Sequence, residues 1–414
     1  MLNSHIRYLH GKLFCDEVPV EDIAAEVGTP VYIYSLPRVL ENLRRIQSLF
    51  PEAHIHFSSK SNANLAVLGA LIGAGAGVDA VSAGEIHRAL LVGARPEDIV
   101  FAGVGKTHDE LEYAIRQGVG WINVENVREL DIINGLASVS RQRTQRVALR
   151  LNPDVTASTH PYIATGHSYA KFGLTAEVVR GILADQSRYP QVRIEGLHIH
   201  IGSQLHDTAA TQRALEIALE LIAPYPQITI VNIGGGLPVP YAPDDVIPAW
   251  EDFAAALRPM LTGYTVILEP GRSIVADAGL LVCEALYVKQ QAGTTILIVD
   301  ASMAELIRPA LYEAHHEIVP LTESAGERSL TQVVGPVCES ADVLGRDVSL
   351  PNIQPGERLA ILNAGAYGMV MASNYNQRPR PPEVVVRDDD PRTWMVARRR
   401  ETWDDLTRLE MARG

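Results

Sequence analysis

Cysteine is scarce: Cys15, Cys283 and Cys338 are an odd number with no CxxC pair among them, which excludes a disulfide framework and suggests no zinc site. A cysteine that matters here is expected to matter as a thiol. No apolar run is long enough to span a bilayer, and the opening MLNSHIRYLHGK lacks the apolar core of a secretory signal, so the expected setting is the cytoplasm. Basic charge is also short, with 36 Lys and Arg against 49 Asp and Glu for a net −13. That balance argues against nucleic acid or an anionic membrane and for a small-molecule partner. No GxGxxG pattern marks a nicotinamide site, no segment is of low complexity, and nothing repeats beyond a β/α unit. What remains is an ordinary globular composition, 47% hydrophobic and 21% charged, in a 414-residue chain long enough for two domains.

Strand-like segments recur from residue 54 onwards: HIHFSSK, GVDAVSA, IVFAGVG, WINVEN, RVALRLNP, RIEGLHIHIG, ITIVNIGGG and TVILEPGR. Most are separated by a helix-length amphipathic stretch, and a helical PRVLENLRRIQSLF precedes them. Eight β/α units predict a (β/α)8 TIM barrel, an α/β fold, over residues 36–277. The pattern then changes to strands without regular helices: GLLVCEALYVKQ, TTILIVD, HEIVPL, TQVVGPVC, ERLAILNAGAY, PPEVVVRD and WMVARRR. With the short β-like pieces of residues 1–35, around a helical PVEDIAAEVG, they predict a second, mostly antiparallel β domain of residues 1–35 and 278–414. DDDPRTW near residue 390 reads as a charged turn rather than a linker.

The run HIHFSSKSN at 54–62 places Lys60 at a strand exit, where a barrel opens its catalytic mouth, although a lone lysine there is equally a solvated cap. NIGGGLPVPY at 232–241 sets three glycines after an apolar strand, which suits either a phosphate or a tight turn. LEPGR at 268–272 puts Glu269 and Arg272 at the last strand's end. They form either an ordinary ion pair or a carboxylate able to keep a pyridine nitrogen protonated. In GLHIHIGSQ, His198 and His200 share a strand face with Ser203 beyond. No third zinc ligand is obvious, so a stacked or core imidazole fits better and no metal is expected. GPVCES sets Cys338 beside Glu339, while RPALY at 308–312 and NAGAYGMVMASNYN at 363–376 add Arg308, Tyr312 and Tyr367 as anchors for charged groups.

Taken in order, these segments are similar to the fold type III pyridoxal-phosphate-dependent decarboxylases over nearly the whole chain, most closely the diaminopimelate decarboxylase family. The matching runs are KSN at 60–62, GVDAVSAGE at 77–85, FAGVGKT at 101–107, KFGL at 171–174, HIGSQ at 200–204, NIGGGLP at 232–238, EPGR at 269–272, RPALY at 308–312, GPVCESADVLG at 335–345 and GAYGMVMASNYNQRPRPPEV at 365–384, with RRRET at 398–402. The resemblance implies removal of CO2 from meso-2,6-diaminopimelate to leave L-lysine, with pyridoxal 5'-phosphate carried on Lys60. His200 would stack on the cofactor ring and Glu269 would pair with the pyridine nitrogen. Asp79, Ser203, Gly235, Gly236, Gly271, Arg272 and Tyr367 would complete the cofactor's surroundings, Arg272 and Tyr367 also reaching substrate. Arg308, Tyr312 and Glu339 would hold the substrate's far end, and Cys338 would act near Cα. In that family Cys338 and Glu339 come from a second subunit, so a homodimer is implied.

Related racemases place an arginine against the pyridine nitrogen, so Glu269 favours decarboxylation. The family's usual YAxKAN stands here as FSSKSN, with Phe57, Ser58 and Ser61 as departures; Ser58 shares a face with Lys60 and is expected to add a hydroxyl near the cofactor. Lys60 itself is expected among apolar neighbours, where desolvation makes an amine a better nucleophile. Decarboxylation of ornithine, arginine, lysine or a carrier-linked amino acid is the alternative, and a silent regulatory homologue a further one, against which Lys60, Glu269 and Cys338 count.

Overall fold

Eight parallel strands close into a barrel in the computed structural model, which describes residues 1–139, 144–155, 171–388 and 393–410. The strands are Ala53–Ser58, Gly77–Ala80, Ile99–Phe101, Trp121–Val124, Gln145–Leu151, Val192–Ile199, Ile230–Asn232 and Thr265–Leu268. Each matches one of the eight expected segments, three of them (those at Ala53, Gln145 and Val192) beginning one residue earlier. Closure comes from the last strand pairing with the first, Ile267 opposite His54. Val100, Trp121, Ile230 and Ile267, from four different strands, pack together, and side chains from that many strands meet only inside the barrel.

Several helices start where the sequence supplies caps. Ser82 accepts from the Glu85 N–H (3.2 Å) ahead of Ala83–Leu91. Before His108–Gln117, Thr107 and Glu110 cap reciprocally, the Glu110 carboxylate taking the Thr107 N–H (3.0 Å) and the Thr107 hydroxyl the Glu110 N–H (3.3 Å). Such caps set where each strand stops and so which residues face the mouth.

The chain divides into two compact units, one of Asn42–Val239 and Val246–Ser273, the other of Met1–Glu41, Pro240–Asp245 and Ile274–Gly414. In the second unit a sheet runs in the order Val343–Pro351, Arg328–Val334, Thr294–Val299, Gly279–Gln291, Val31–Ser35, Glu383–Val386 and Trp394–Arg398, with Arg358–Ile361 and Ile318–Pro320 paired off its middle. Pairing is antiparallel except where Val31–Ser35 meets Glu383–Val386 and Thr294–Val299 meets Arg328–Val334. The segments Ile6–Leu9, Lys12–Cys15 and Val18–Pro19 form their own meander. Of the N-terminal pieces, then, only Val31–Ser35 enters the large sheet. The meander still shares its core, with Ile6 and Leu13 packed among Ile33, Leu280 and Val384.

The strand Val343–Pro351 was not anticipated, because Gly345, Arg346 and Asp347 break its apolar pattern. Asp347 adopts a left-handed φ of 50°, and the pairing with Arg328–Val334 shifts register nearby. Residues 389–392 of the expected charged turn lie outside the described residues. All three cysteines are free, Cys15 and Cys283 buried and Cys338 exposed. No helix among the described residues is long and apolar enough to cross a membrane.

Candidate active site

The first barrel strand stops at Ser58 and the chain makes one tight turn, Ser59–Ser61, before Asn64 caps the helix Leu65–Gly73. Lys60 stands on that turn with Nζ 3.0 Å from Oδ2 of Asp79, which sits on the second strand. The Ser58 hydroxyl donates to the same oxygen. Ser59 Oγ donates to the Asp79 carbonyl (3.1 Å) and to Glu85 (2.8 Å). Asp79 is fully buried, and its Oδ1 has no donor among the described residues. The expectation of apolar neighbours around Lys60 is therefore corrected: its side chain is 39% exposed and its first neighbour is a buried carboxylate. A charge partner rather than a dry wall positions the amine.

Gly271 brings the end of the eighth strand against this turn; a Cβ there would lie 2.9 Å from Ser58 Cβ and 3.0 Å from Ser61 Oγ. Glu269, two residues earlier, is buried at the mouth. Its Oε1 accepts from Asn232 Nδ2 at 2.5 Å and from Asn123 Nδ2 at 3.2 Å. His198 Nε2 lies 3.3 Å from Oε2, at ion-pair distance without the geometry of a hydrogen bond. Burial alone would raise the carboxyl pKa, but His198, Lys60 and Asn232 outweigh it and hold the group well below the usual carboxylate range. Glu269 is a fixed anion.

His200 follows the sixth strand, and its Nδ1 accepts from the Gly235 N–H at 3.3 Å. Burial, with Arg150, Lys60 and His198 around it, pushes the imidazole well below its usual range, so it presents a neutral ring. Gly236, at φ +113°, approaches so closely that a Cβ would meet Leu205 Cδ1 at 2.6 Å. A Cβ on Gly235 would stand 2.5 Å from the Glu269 carbonyl oxygen. Ser203 is partly buried beyond the same strand, and Arg272 is buried at the start of the short helix Arg272–Val275.

Sequence reasoning missed the charges behind this mouth. Lys106 pairs with Glu129 at 2.5 Å and also donates to the carbonyls of Gly103 (2.8 Å) and Asn123 (2.7 Å). Arg150 pairs with Glu125 at 2.6 Å, and the other Glu125 oxygen takes the Gly173 N–H at 2.8 Å. Both pairs are buried and tie the FAGVGKT, NVEN, RLNP and KFGL runs together, with Asn123 linking them to Glu269. The available signal was charge at odd places, such as Arg150 inside the otherwise apolar VALRL.

The other site candidates belong to the β unit. Arg308 is buried on the helix Arg308–Tyr312, and Tyr312 at its end is partly buried. Cys338 and Glu339 are exposed on a turn held from below by Asp342, whose carboxylate takes the N–H of Met303 (2.6 Å) and of Val337 (2.8 Å). The Cys338 N–H donates to Asn376 Oδ1 at 2.9 Å. Tyr367 adopts a left-handed φ of 56° in the loop after Arg358–Ile361.

The barrel mouth thus offers an amine on a turn, a neutral flat imidazole, an ionised buried carboxylate, a glycine-rich loop and a buried acceptor, Asp79 Oδ1, without a donor among the described residues. That donor set fits pyridoxal phosphate, an aldehyde with a basic ring nitrogen and an anionic arm. The diaminopimelate decarboxylase of Aquifex aeolicus is 39% identical over 408 residues, 97% of this chain and 96% of that one. The Vibrio cholerae enzyme of the same name is 40% identical over 410 residues, covering 97% of each. The crystal structure of diaminopimelate decarboxylase from M. jannaschii in co-complex with L-lysine superposes with a TM-score of 0.92 at 35% identity, covering 100% of this chain and 99% of that one. The corresponding L-lysine complex from Helicobacter pylori gives 0.88 at 37% identity, with 94% and 98% covered. Residues 36–276 match the family model of the pyridoxal-dependent decarboxylase pyridoxal binding domain, and the chain belongs to that pyridoxal-phosphate-dependent decarboxylase family.

Proposed function

We propose that this chain removes CO2 from meso-2,6-diaminopimelate to form L-lysine, as a cytoplasmic homodimer. The observation that carries the chemistry is Glu269, held as an anion by Asn232, Asn123 and His198 at the end of the last barrel strand. Pyridoxal phosphate, when bound, supplies an electron sink for the pair left behind as CO2 departs. Glu269 holds a proton on its pyridine nitrogen, which keeps that sink deep. Lys60 would hold the cofactor through its amine, which Asp79 Oδ2 positions at 3.0 Å. His200, kept neutral and pinned by the Gly235 N–H, would offer its flat face to the ring. Ser203, Gly235, Gly236, Gly271, Arg272 and Tyr367 would hold the phosphate.

Arg308, Tyr312 and Glu339 hold the non-reacting amino-carboxylate end, and Cys338 delivers a proton near Cα. In this reading Cys338 and Glu339 of one subunit serve the barrel of the other. Their exposure on a turn supported through Asp342 supports it, because such a turn can be presented to a second chain. The substrate assignment is supported by near-full-length similarity to proteins named diaminopimelate decarboxylase. The test is CO2 release measured side by side from meso-diaminopimelate, L-lysine, L-ornithine and L-arginine. Turnover confined to one of the last three would overturn the substrate and leave the family intact.

A further inference from the structure

Glu401, the acid of the late RRRET run, grips the segment SNYNQRPR near both ends. Its Oε2 accepts from Asn374 Nδ2 at 2.7 Å and from the Arg380 N–H at 3.0 Å, and its Oε1 from Arg380 Nε at 2.8 Å and Arg398 Nη2 at 3.1 Å. Burial alone would raise the carboxyl pKa, but Arg380 and Asn374 outweigh it and lower it to about 2, so these bonds are charge-assisted. Between the two grips, Asn376 and Gln377 stand at left-handed φ values of 56° and 55°. Two such residues in succession, neither of them glycine, persist only where the surroundings impose the conformation.

The conformation aims one side chain. Asn376 Oδ1 accepts the Cys338 N–H at 2.9 Å, while the N–H of Val337 goes to Asp342 at 2.8 Å. The backbone N–H of the thiol's own residue is thus held by a side chain that Glu401 keeps in place. We propose that Glu401 is a positioning residue for Cys338: its clamp on Asn374 and Arg380 sets Asn376, and Asn376 fixes the backbone from which the thiol reaches the reacting carbon. The proposal rests on the role given to Cys338 above and assigns one to an acid that reading does not use.

An amide nitrogen only donates, and both Glu401 oxygens face donors, so Glu401→Gln must break one grip whichever way its amide turns. In the holoenzyme of that variant kcat should fall about a hundredfold, the order expected when a reacting group is displaced by about 1 Å, while cofactor content and absorbance stay as in wild type. Asn376→Gly keeps the left-handed φ and removes only the oxygen, so it should lose as much, whereas Asn376→Asp keeps an acceptor and should stay near the wild-type rate. Because Glu401 acts through Asn376, adding Glu401→Gln to Asn376→Gly should lower kcat by no more than about twofold further. Mixed with Lys60→Ala subunits, Glu401→Gln should recover about a quarter of wild-type activity, since one site of the mixed dimer joins an intact Lys60 to an intact Cys338 turn; mixed with Cys338→Ala it should recover nothing. A near-normal kcat in Glu401→Gln, additive losses in the double variant, or recovery with Cys338→Ala but not with Lys60→Ala would overturn the proposal. If Glu401→Gln does not fold, Asn374→Ala, which removes a single grip, takes its place in each comparison. Failure of Lys60→Ala and Cys338→Ala to complement each other, with exchange verified, would instead refute the shared site, and the double variant then decides the proposal within one chain.

Discussion

The barrel mouth and the Cys338–Glu339 turn solve the placement of reactive groups in opposite ways. At the mouth nearly every charge is buried and held by side chains: Glu269 by two asparagines, Lys106 by Glu129, Arg150 by Glu125. On the turn the two side chains are exposed, and what is held is the backbone, through Asp342 and Asn376. The first arrangement fixes electrostatics before any ligand arrives, at the cost of desolvation that the pairing must offset. The second fixes only a position and leaves the thiol and carboxylate to be completed by whatever meets them. A site that must stabilise charge needs the first kind of region, and the second suits the shared site proposed above, in which the turn would meet another subunit.

The contrast breaks most sharply at Lys60. Lys60→Ala should abolish CO2 release and the absorbance of covalently bound cofactor while circular dichroism stays native; borohydride that still fixes cofactor to this variant would displace the assignment. Glu269→Gln should retain cofactor but lower kcat by about a thousandfold, roughly 4 kcal/mol of barrier, and a near-normal rate would separate the electron sink from this residue. Lys106→Met leaves Glu129 buried without its cation and should destabilise the fold by about 3–5 kcal/mol, read as a lower midpoint in urea. A loss under about 1 kcal/mol would show that the pair behaves like an exposed one.

The smallest expected signal sharpens the other half of the comparison. Lys60→Ala and Cys338→Ala proteins, each inactive alone, should recover roughly a quarter of wild-type activity when mixed and allowed to exchange subunits. Random exchange leaves about half the dimers mixed, each with one site that collects neither defect. Exchange verified by mass, with no activity returning, would place Cys338 within its own chain's site.

The eight barrel strands were legible because short apolar runs alternate with helix-length stretches, several of which carry their own cap signal, as Thr107–Glu110 illustrates. Lys60 and Glu269 were legible as ionisable groups at strand ends. Asn123 and Asn232 were not, since an asparagine in the last positions of a strand reads as a turn former until the carboxylate it serves is seen. The neighbourhood of Lys60 was misjudged for a related reason: Asp79 lies one strand away in space and nineteen positions away in sequence.

The placement of Val31–Ser35 matters for how the molecule is made. This strand is buried at all five positions and hydrogen-bonds on one side to Gly279–Val282 and on the other to Glu383–Val386. A ribosome delivers it early and both of its partners late, with every barrel strand in between. The barrel can close while still attached to the ribosome, but VYIYS must wait with both edges unpaired, an apolar segment of the type that recruits other chains. Growth temperature and chaperone supply should therefore govern yield through the completion of this sheet rather than through the barrel.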